Sequence, residues 1–180
     1  MELKTKRLIL RPWKESDAED LFRYASDPDV GPIAGWNAHK SVDESRSVIK
    51  NVLNGQEAYA VCLKEDNKAI GAIEIMFNRP VTRNSDECEL GFWIGKPFWG
   101  RGLIPEAAKE MLRHAFEDLG MNKVWCGYYD GNEKSKRVQE KLGFKYSFTV
   151  ENADVPLLNE KRTEQINCLT KENYYEQSNA

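Results

Sequence analysis

A chain of 180 residues can bury a sizeable core, and 41% apolar with 31% charged residues is the balance of a folded globular protein rather than a disordered one. Its formal net charge of −3 argues against bulk nucleic-acid binding, which needs a basic face, and would suit a cationic substrate. No apolar run approaches the roughly 20 residues that cross a bilayer, and Met1-Glu2-Leu3-Lys4 has no signal-peptide core, so no membrane partner and a cytoplasmic location are expected.

Leu8-Ile9-Leu10, flanked by Arg7 and Arg11, reads as a first strand that Pro12 ends. Ser16 with Glu19 three residues on is a capping box, and Leu21, Phe22, Tyr24 and Ala25 follow at helical spacing until Asp27-Pro28-Asp29. Residues 30–40 read as a loop. Ser41 with Glu44 opens a second helix to about Leu53. The period then changes to two, and residues 58–63, 70–77 and 87–94 read as the strands of an antiparallel meander. After a glycine-containing loop at 97–102, Ala107, Ala108, Met111, Leu112, Ala115, Phe116 and Leu119 recur at three and four, which predicts a long helix from Pro105 to Gly120. Residues 123–129 read as a strand and 132–142 as a helix closed by Gly143; 144–150 and about 163–170 read as the last strands. The order β-α-α-β-β-β-α-β-α-β-β is that of an α+β fold, expected as one domain over residues 1–180. Cys62, Cys88, Cys126 and Cys168 fall on expected strands, form no CxxC and have no histidine pair beside them, so packed reduced thiols and no metal are expected.

Trp99-Gly100-Arg101-Gly102-Leu103-Ile104-Pro105-Glu106-Ala107 follows a strand and precedes a helix. Glycines let the backbone turn tightly, Pro105 suits a first helical turn, and the free N–H groups there with the helix dipole would hold a phosphate. Alone, such a segment is more often only a tight connection. It is neither a Walker loop, since no Gly-Lys-Ser/Thr follows, nor a dinucleotide fingerprint, since the third glycine is missing. The segment from Asn132 to Phe144 likewise admits a plain account: Asn132 caps a helix, and Lys134, Ser135, Lys136 and Arg137 are its solvated start.

The two segments together resemble the GNAT superfamily of acyl-CoA-dependent N-acetyltransferases, and within it the RimJ/RimL-type ribosomal-protein branch. The resemblance runs through Thr5-Lys6-Arg7-Leu8-Ile9-Leu10-Arg11-Pro12, Asp17-Ala18-Glu19-Asp20-Leu21, Glu89-Leu90-Gly91-Phe92-Trp93-Ile94, the glycine loop with Glu106-Ala107, Asn132-x-x-Ser135-x-Arg137-Val138 and Lys141-Leu142-Gly143-Phe144. It implies a mixed central sheet with an antiparallel N-terminal meander and helices on both faces, acetyl-CoA as cosubstrate, and an amine-bearing acceptor. The backbone of Gly100, Arg101, Gly102, Leu103 and Ile104 would cradle the CoA pyrophosphate. The strand ending at Ile94 would splay from the next, parallel strand and admit the pantetheine arm. Ile94 and Asn132 would bond that arm, and the Phe92 N–H would stabilise the oxyanion. The sequence departs from the superfamily pattern in two ways. Trp99 and Ile104 stand where the loop usually begins with Gln or Arg and ends with Gly or Ala. Gln139 stands where many members carry a tyrosine that protonates the departing thiolate, which leaves Ser135 as the nearest candidate, as in the branch.

An amine attacks only when unprotonated, so its proton needs an acceptor. Glu89 occupies the family's usual place for that carboxylate, and strand alternation puts Glu87, Glu89 and Gly91 on one face with Cys88, Leu90 and Phe92 on the other. His39 is a second candidate base in the substrate-side loop, His114 reads as structural, and Trp36, Trp93 and Trp99 divide between core and site wall. The acceptor is a protein N-terminus or a small amine such as a polyamine, aminoglycoside or amino acid, and the protein a monomer or homodimer. A non-catalytic acyl-CoA-binding module and a nucleotide-binding protein are the competing readings.

Overall fold

A computed structural model describes residues 1–178, so the expected domain end at 180 lies outside the described residues. Strands β1 (Leu3–Lys4), β2 (Leu8–Pro12), β3 (Ala58–Leu63), β4 (Ala69–Met76), β5 (Glu87–Ile94), β6 (Lys123–Tyr129), β7 (Lys145–Val155) and β8 (Glu160–Thr170) form one sheet in the order β1-β2-β3-β4-β5-β6-β8-β7. Every neighbouring pair is antiparallel except β5 and β6, which are parallel.

Helices α1 (Ala18–Ala25) and α3 (Val42–Asn51) cover one face through Leu21, Ala25 and Ile49, with Trp36 and Trp93 against them. On the other face α4 (Leu103–Arg113) buries Leu103, Ala107, Met111 and Leu112 in the main core beside Ile73, Cys88 and Leu90. Helix α5 (Glu133–Lys141) lies on that same side, and α6 (Lys171–Ser178) stacks Tyr174 on Phe116 at 4.8 Å between ring centroids. The mixed sheet with helices on both faces is the expected architecture.

Several local expectations need correction. Ser16 is exposed and caps nothing. Arg11 sends both guanidinium NH2 groups to Asp17 at 2.8 and 2.9 Å in a buried pair, and the first turn closes on that carboxylate, which also accepts the Lys14 N–H at 2.9 Å. The loop at 30–40 contains the short helix α2 (Gly31–Ala34), opened with Pro32 in its first turn and ended by Gly35. The helix expected to run to Gly120 leaves the α form at His114: residues His114–Asp118 are a π turn, where His114 is buried with its ring nitrogens 3.0 Å from Glu57 Oε2 and 2.8 Å from Asp118 Oδ2. Strands β7 and β8 are longer than expected, because a bulge between Val150 and Ala153, with Asn152 at φ 54°, interrupts the alternation without ending the pairing. Strand β1 and helix α6 were not expected at all. The four cysteines are free thiols, three buried and Cys168 half-buried.

The strands that matter most are β5 and β6. They pair over Glu87↔Lys123, Cys88↔Val124 and Glu89↔Trp125, and no pairing continues beyond. Below the fork, buried Glu87 ties them together: it accepts from the Arg83 N–H at 3.0 Å, Asn84 at 2.8 Å and the Trp125 indole at 2.9 Å. Burial pushes the Glu87 carboxyl up, but these bonds with Lys123 nearby outweigh it and bring it from 4.5 down to about 2. A value lowered on folding contributes stability that is present above pH 4.5 and is lost as pH falls toward 2. Glu87→Gln is therefore expected to cost on the order of 1–3 kcal/mol at neutral pH and to flatten the melting temperature across that acid window, which thermal melts over a pH series check.

Candidate active site

Beyond Glu89 the two strands expose backbone to each other. The Gly95 N–H bonds to the Ile70 carbonyl across β4 at 2.8 Å, so Ile94, and by alternation Phe92, turn their backbone groups away from β4 toward the gap. On the other side the Asp130 N–H bonds to Thr163 at 3.0 Å, which turns Tyr129 and Gly127 away from β8 into the same gap. Three of the freed carbonyls have protein partners: Ile94 accepts from the Trp99 indole at 2.9 Å, Gly127 from the Gln139 amide at 3.1 Å and Tyr129 from the Asn132 N–H at 3.0 Å. The Phe92 N–H has no strand opposite it.

The gap opens into a cleft of about 400 Å³ between the glycine loop and the start of α5. Eight of the ten residues expected at the site line it: Phe92, Ile94, Gly100, Gly102, Leu103, Ile104, Asn132 and Ser135. Arg101 does not; its side chain lies over the Phe98 ring at 5.5 Å, and only its backbone belongs to the loop. Glu89 does not line the cleft either. It stands at the fork itself, on the opposite face of the sheet, where Arg79 Nε is 3.1 Å from its carboxylate.

The loop has the form of an anion cradle. Gly100 and Gly102 hold φ of 74° and 70°, a region that side chains resist, and a Cβ at Gly100 would meet nothing within 4 Å. Among the described residues the N–H groups of Gly100, Arg101, Gly102, Leu103 and Ile104 find no acceptor in the protein; the first bond of α4 is Glu106 to Gly102. Their direction is set from outside. Arg7 donates to the carbonyls of Arg101 at 3.0 Å and Gly102 at 3.3 Å, and its Nε to Glu106 at 2.6 Å. In a trans peptide C=O and N–H point opposite ways, so fixing those carbonyls on Arg7 turns the N–H groups of Gly102 and Leu103 away from Arg7. Burial pushes the Glu106 carboxyl up, but the bonds from Thr5 and Arg7 outweigh it and hold the carboxyl below its ordinary range. Lys134, Arg137 and Lys141 of α5 complete a cationic rim, with Lys134 Nζ 4.1 Å from the centre of the Trp99 ring.

At the start of α5, Asn132 accepts the Ser135 N–H at 3.2 Å, and its amide N–H2 has no acceptor among the described residues. The glutamate at the fork is not alone on its face. Glu74 lies across from Gly91 on β4, and Glu164 lies across from Tyr129 on β8; burial and the neighbouring Glu89 push both carboxyls up. Their sequence neighbourhoods gave no sign of this, because β4 and β8 are brought to the fork only by the sheet order. His39 stays outside the cleft, its Nδ1 2.7 Å from the Ser45 hydroxyl, and burial pushes its value down. Trp93 and Trp99 line the cleft, while Trp36 packs against Trp93 with 5.5 Å between centroids. Among the described residues no group of three or more His, Cys, Asp or Glu is placed to hold a metal, and no helix is long and apolar enough to cross a membrane.

The cradle geometry depends on Arg7, whose side chain is 44% exposed and so can be removed without opening the core. Arg7→Ala is expected to weaken CoA roughly ten-fold or more, the scale of one charge-assisted hydrogen bond, with only a modest fall in melting temperature, because Glu106 keeps its bonds from the Thr5 hydroxyl and the residue 7 N–H. Isothermal titration with CoA beside a thermal melt checks this.

Comparison with known proteins agrees with this architecture. The model of the acetyltransferase (GNAT) domain matches residues 7–145. An uncharacterized N-acetyltransferase of Bacillus licheniformis, p20, is 28% identical over 147 residues, covering 79% of this chain and 81% of p20. YdaF of Bacillus subtilis, described as a candidate ribosomal N-acetyltransferase, is 39% identical over 92 residues, covering 51% of this chain and 47% of YdaF. A GNAT-family acetyltransferase from Bacillus anthracis shares the fold with a TM-score of 0.82 at 22% identity, covering 96% of this chain and 99% of the other. The chain is an acetyltransferase of the GNAT family, with relatives consistent with the RimJ/RimL-type branch.

Proposed function

We propose that this acetyltransferase moves an acetyl group from acetyl-CoA directly to a primary amine in a ternary complex, and that the amine is the N-terminus of a protein. The observation that carries the first part is the run of five unpartnered N–H groups, Gly100 to Ile104, at the mouth of a cleft that ends in the open fork. Such a run under a cationic rim matches a pyrophosphate. The unpaired edge of β5 at Phe92 and Ile94 matches an amide-bearing arm that adds to it like a strand, with the free Asn132 amide on the other side. No metal takes part in this scheme.

The fork gives the two halves of the reaction opposite faces of the sheet. The Phe92 N–H points into the gap, where it would stabilise the negative charge that develops on the thioester oxygen. Ser135 faces the same gap from α5, where it would donate a hydrogen bond to the sulfur as the C–S bond breaks. Glu89, on the far face at the apex, would accept the proton of the attacking amine, directly or through water. The four free thiols fit the reducing cytoplasm. Support for a protein N-terminus comes from the relation to YdaF and from the carboxylates Glu74, Glu89 and Glu164 around the apex, which favour a positively charged approach. Thiol release from acetyl-CoA, measured against peptides with free N-termini, spermidine and an aminoglycoside, tests the reading: turnover is expected first with peptides, preference for either small amine would move the acceptor class, and release with none would leave a CoA-binding module.

Glu89→Gln keeps the shape and removes the base. The rate is expected to fall about 100-fold or more near neutral pH, the scale of losing a general base, and to recover in part at high pH, where the amine loses its proton unaided. A pH–rate profile of the variant checks this; a loss equal at every pH would assign Glu89 to substrate binding instead.

A further inference from the structure

Gln139 is fully buried on α5, one turn beyond Ser135, where many relatives of this fold would carry a tyrosine. A glutamine cannot supply a proton there, yet every polar atom of its side chain is used. Nε2 donates to the Gly127 carbonyl and to the Ser135 hydroxyl oxygen, both at 3.1 Å, and Oε1 accepts from Asn167 Nδ2 at 2.8 Å. The orientation of this amide is fixed by chemistry. Gly127 O is a backbone carbonyl and can only accept, so the nitrogen must face it. That carbonyl is itself a product of the fork, because β6 turns it into the gap where β5 no longer reaches.

The consequence falls on Ser135. With Nε2 as donor, the Ser135 oxygen accepts, and its own proton must point elsewhere. Among the described residues that hydroxyl proton has no acceptor, while Ser135 borders the cleft. We propose that Gln139 is a positioning residue which, oriented by Gly127 and Asn167, holds the Ser135 hydroxyl as a hydrogen-bond donor toward the departing sulfur. This rests on the reading of Ser135 given above. In the step it serves, a C–N bond forms and the C–S bond breaks. The amine gives one proton to the base. The sulfur leaves as a thiolate that accepts the Ser135 hydrogen bond and takes its proton from solvent. A hydroxyl already committed as acceptor to a fixed donor does not have to break a competing bond when the charge appears on sulfur, so its dipole is organised in advance.

Replacing the amide by a carboxylate reverses the polarity. In Gln139→Glu the Ser135 hydroxyl would donate to residue 139 and be lost to the cleft. Hydroxylamine serves as acceptor, because it is unprotonated at neutral pH, so it needs no deprotonation before attack, and it bypasses acceptor recognition. Single-turnover thiol release from acetyl-CoA is expected to fall roughly 10- to 100-fold in Ser135→Ala, the scale of a hydrogen bond to a charged group. Gln139→Glu should fall in the same range, with the acetyl-CoA KM within about twofold of wild type. The double variant should be no slower than Ser135→Ala alone, since both changes remove one interaction. Should Gln139→Glu fail to fold, Gln139→Leu carries the same test: a rate loss that vanishes in the Ser135→Ala background. Losses that multiply in the double variant, or a normal rate in both Gln139 variants while Ser135→Ala is slow, overturn the role of Gln139 alone. A normal rate in Ser135→Ala overturns the hydrogen bond to sulfur, and the role of Gln139 with it.

Discussion

The structure depends on one interruption: β5 and β6 stop pairing after Glu89 and Trp125. In a closed sheet each strand satisfies the backbone of its neighbour, and an unmatched N–H or C=O costs about as much as a lost hydrogen bond. The fork is held open from both sides. Strands β4 and β8 keep full antiparallel ladders on the outer edges of β5 and β6, and Glu87 fastens their base. What remains is a set of inward-facing backbone groups that the rest of the chain must meet or leave for a ligand. Trp99 meets Ile94, Gln139 meets Gly127, and the Asn132 N–H meets Tyr129 at 3.0 Å. Each partner comes from a segment that also forms a wall of the cleft, so closing the orphaned backbone and building the site are done by the same contacts.

Sequence alone goes far for elements whose pattern is local. Strands β5 and β6 and helix α5 stand where period-two alternation, flanking turns and an Asn cap put them. The cleft residues on them follow, because a strand's backbone direction is fixed by counting: once Ile94 ends β5, Phe92 and Ile94 share an edge. Long-range decisions defeat local rules. Ser16 has the better capping spacing, but Arg11 claims Asp17 and drags the turn with it. The polar Glu151-Asn152 stretch looks like a strand end, yet a bulge lets β7 continue. Arg7 stands in a stretch with family character, but its hold on the glycine loop spans 94 residues of chain and cannot be inferred from spacing. Gln139 is a similar case: its sequence position shows only that a tyrosine is missing, and its value depends on a carbonyl of the preceding strand, β6, that β5 leaves unpaired.

The mild net charge conceals a division across the sheet. The α4–α5 face gathers Lys134, Arg137 and Lys141 at the cleft, with Arg7 on the carbonyls of the loop, while the opposite face at the fork holds Glu74, Glu89 and Glu164 against Arg79. A mostly neutral average therefore carries two opposite local fields, and these act over the short range that salt does not screen. In the proposed reaction this division does chemical work. The phosphates are drawn to one side and a protonated amine to the other, and the fork is the opening through which they meet. The amine arrives as a cation but must attack as a neutral base, so the carboxylates that favour its approach must also take its proton. Burial and the neighbouring Glu89 push the Glu74 and Glu164 carboxyls up. In the proposed step the proton passes from the amine to Glu89 as the C–N bond forms. Arg79 stands at the same apex, with its Nε 3.1 Å from the Glu89 carboxylate. Arg79 and the incoming amine are thus the two cations that the apex carboxylates meet, one supplied by the chain and the other by the acceptor.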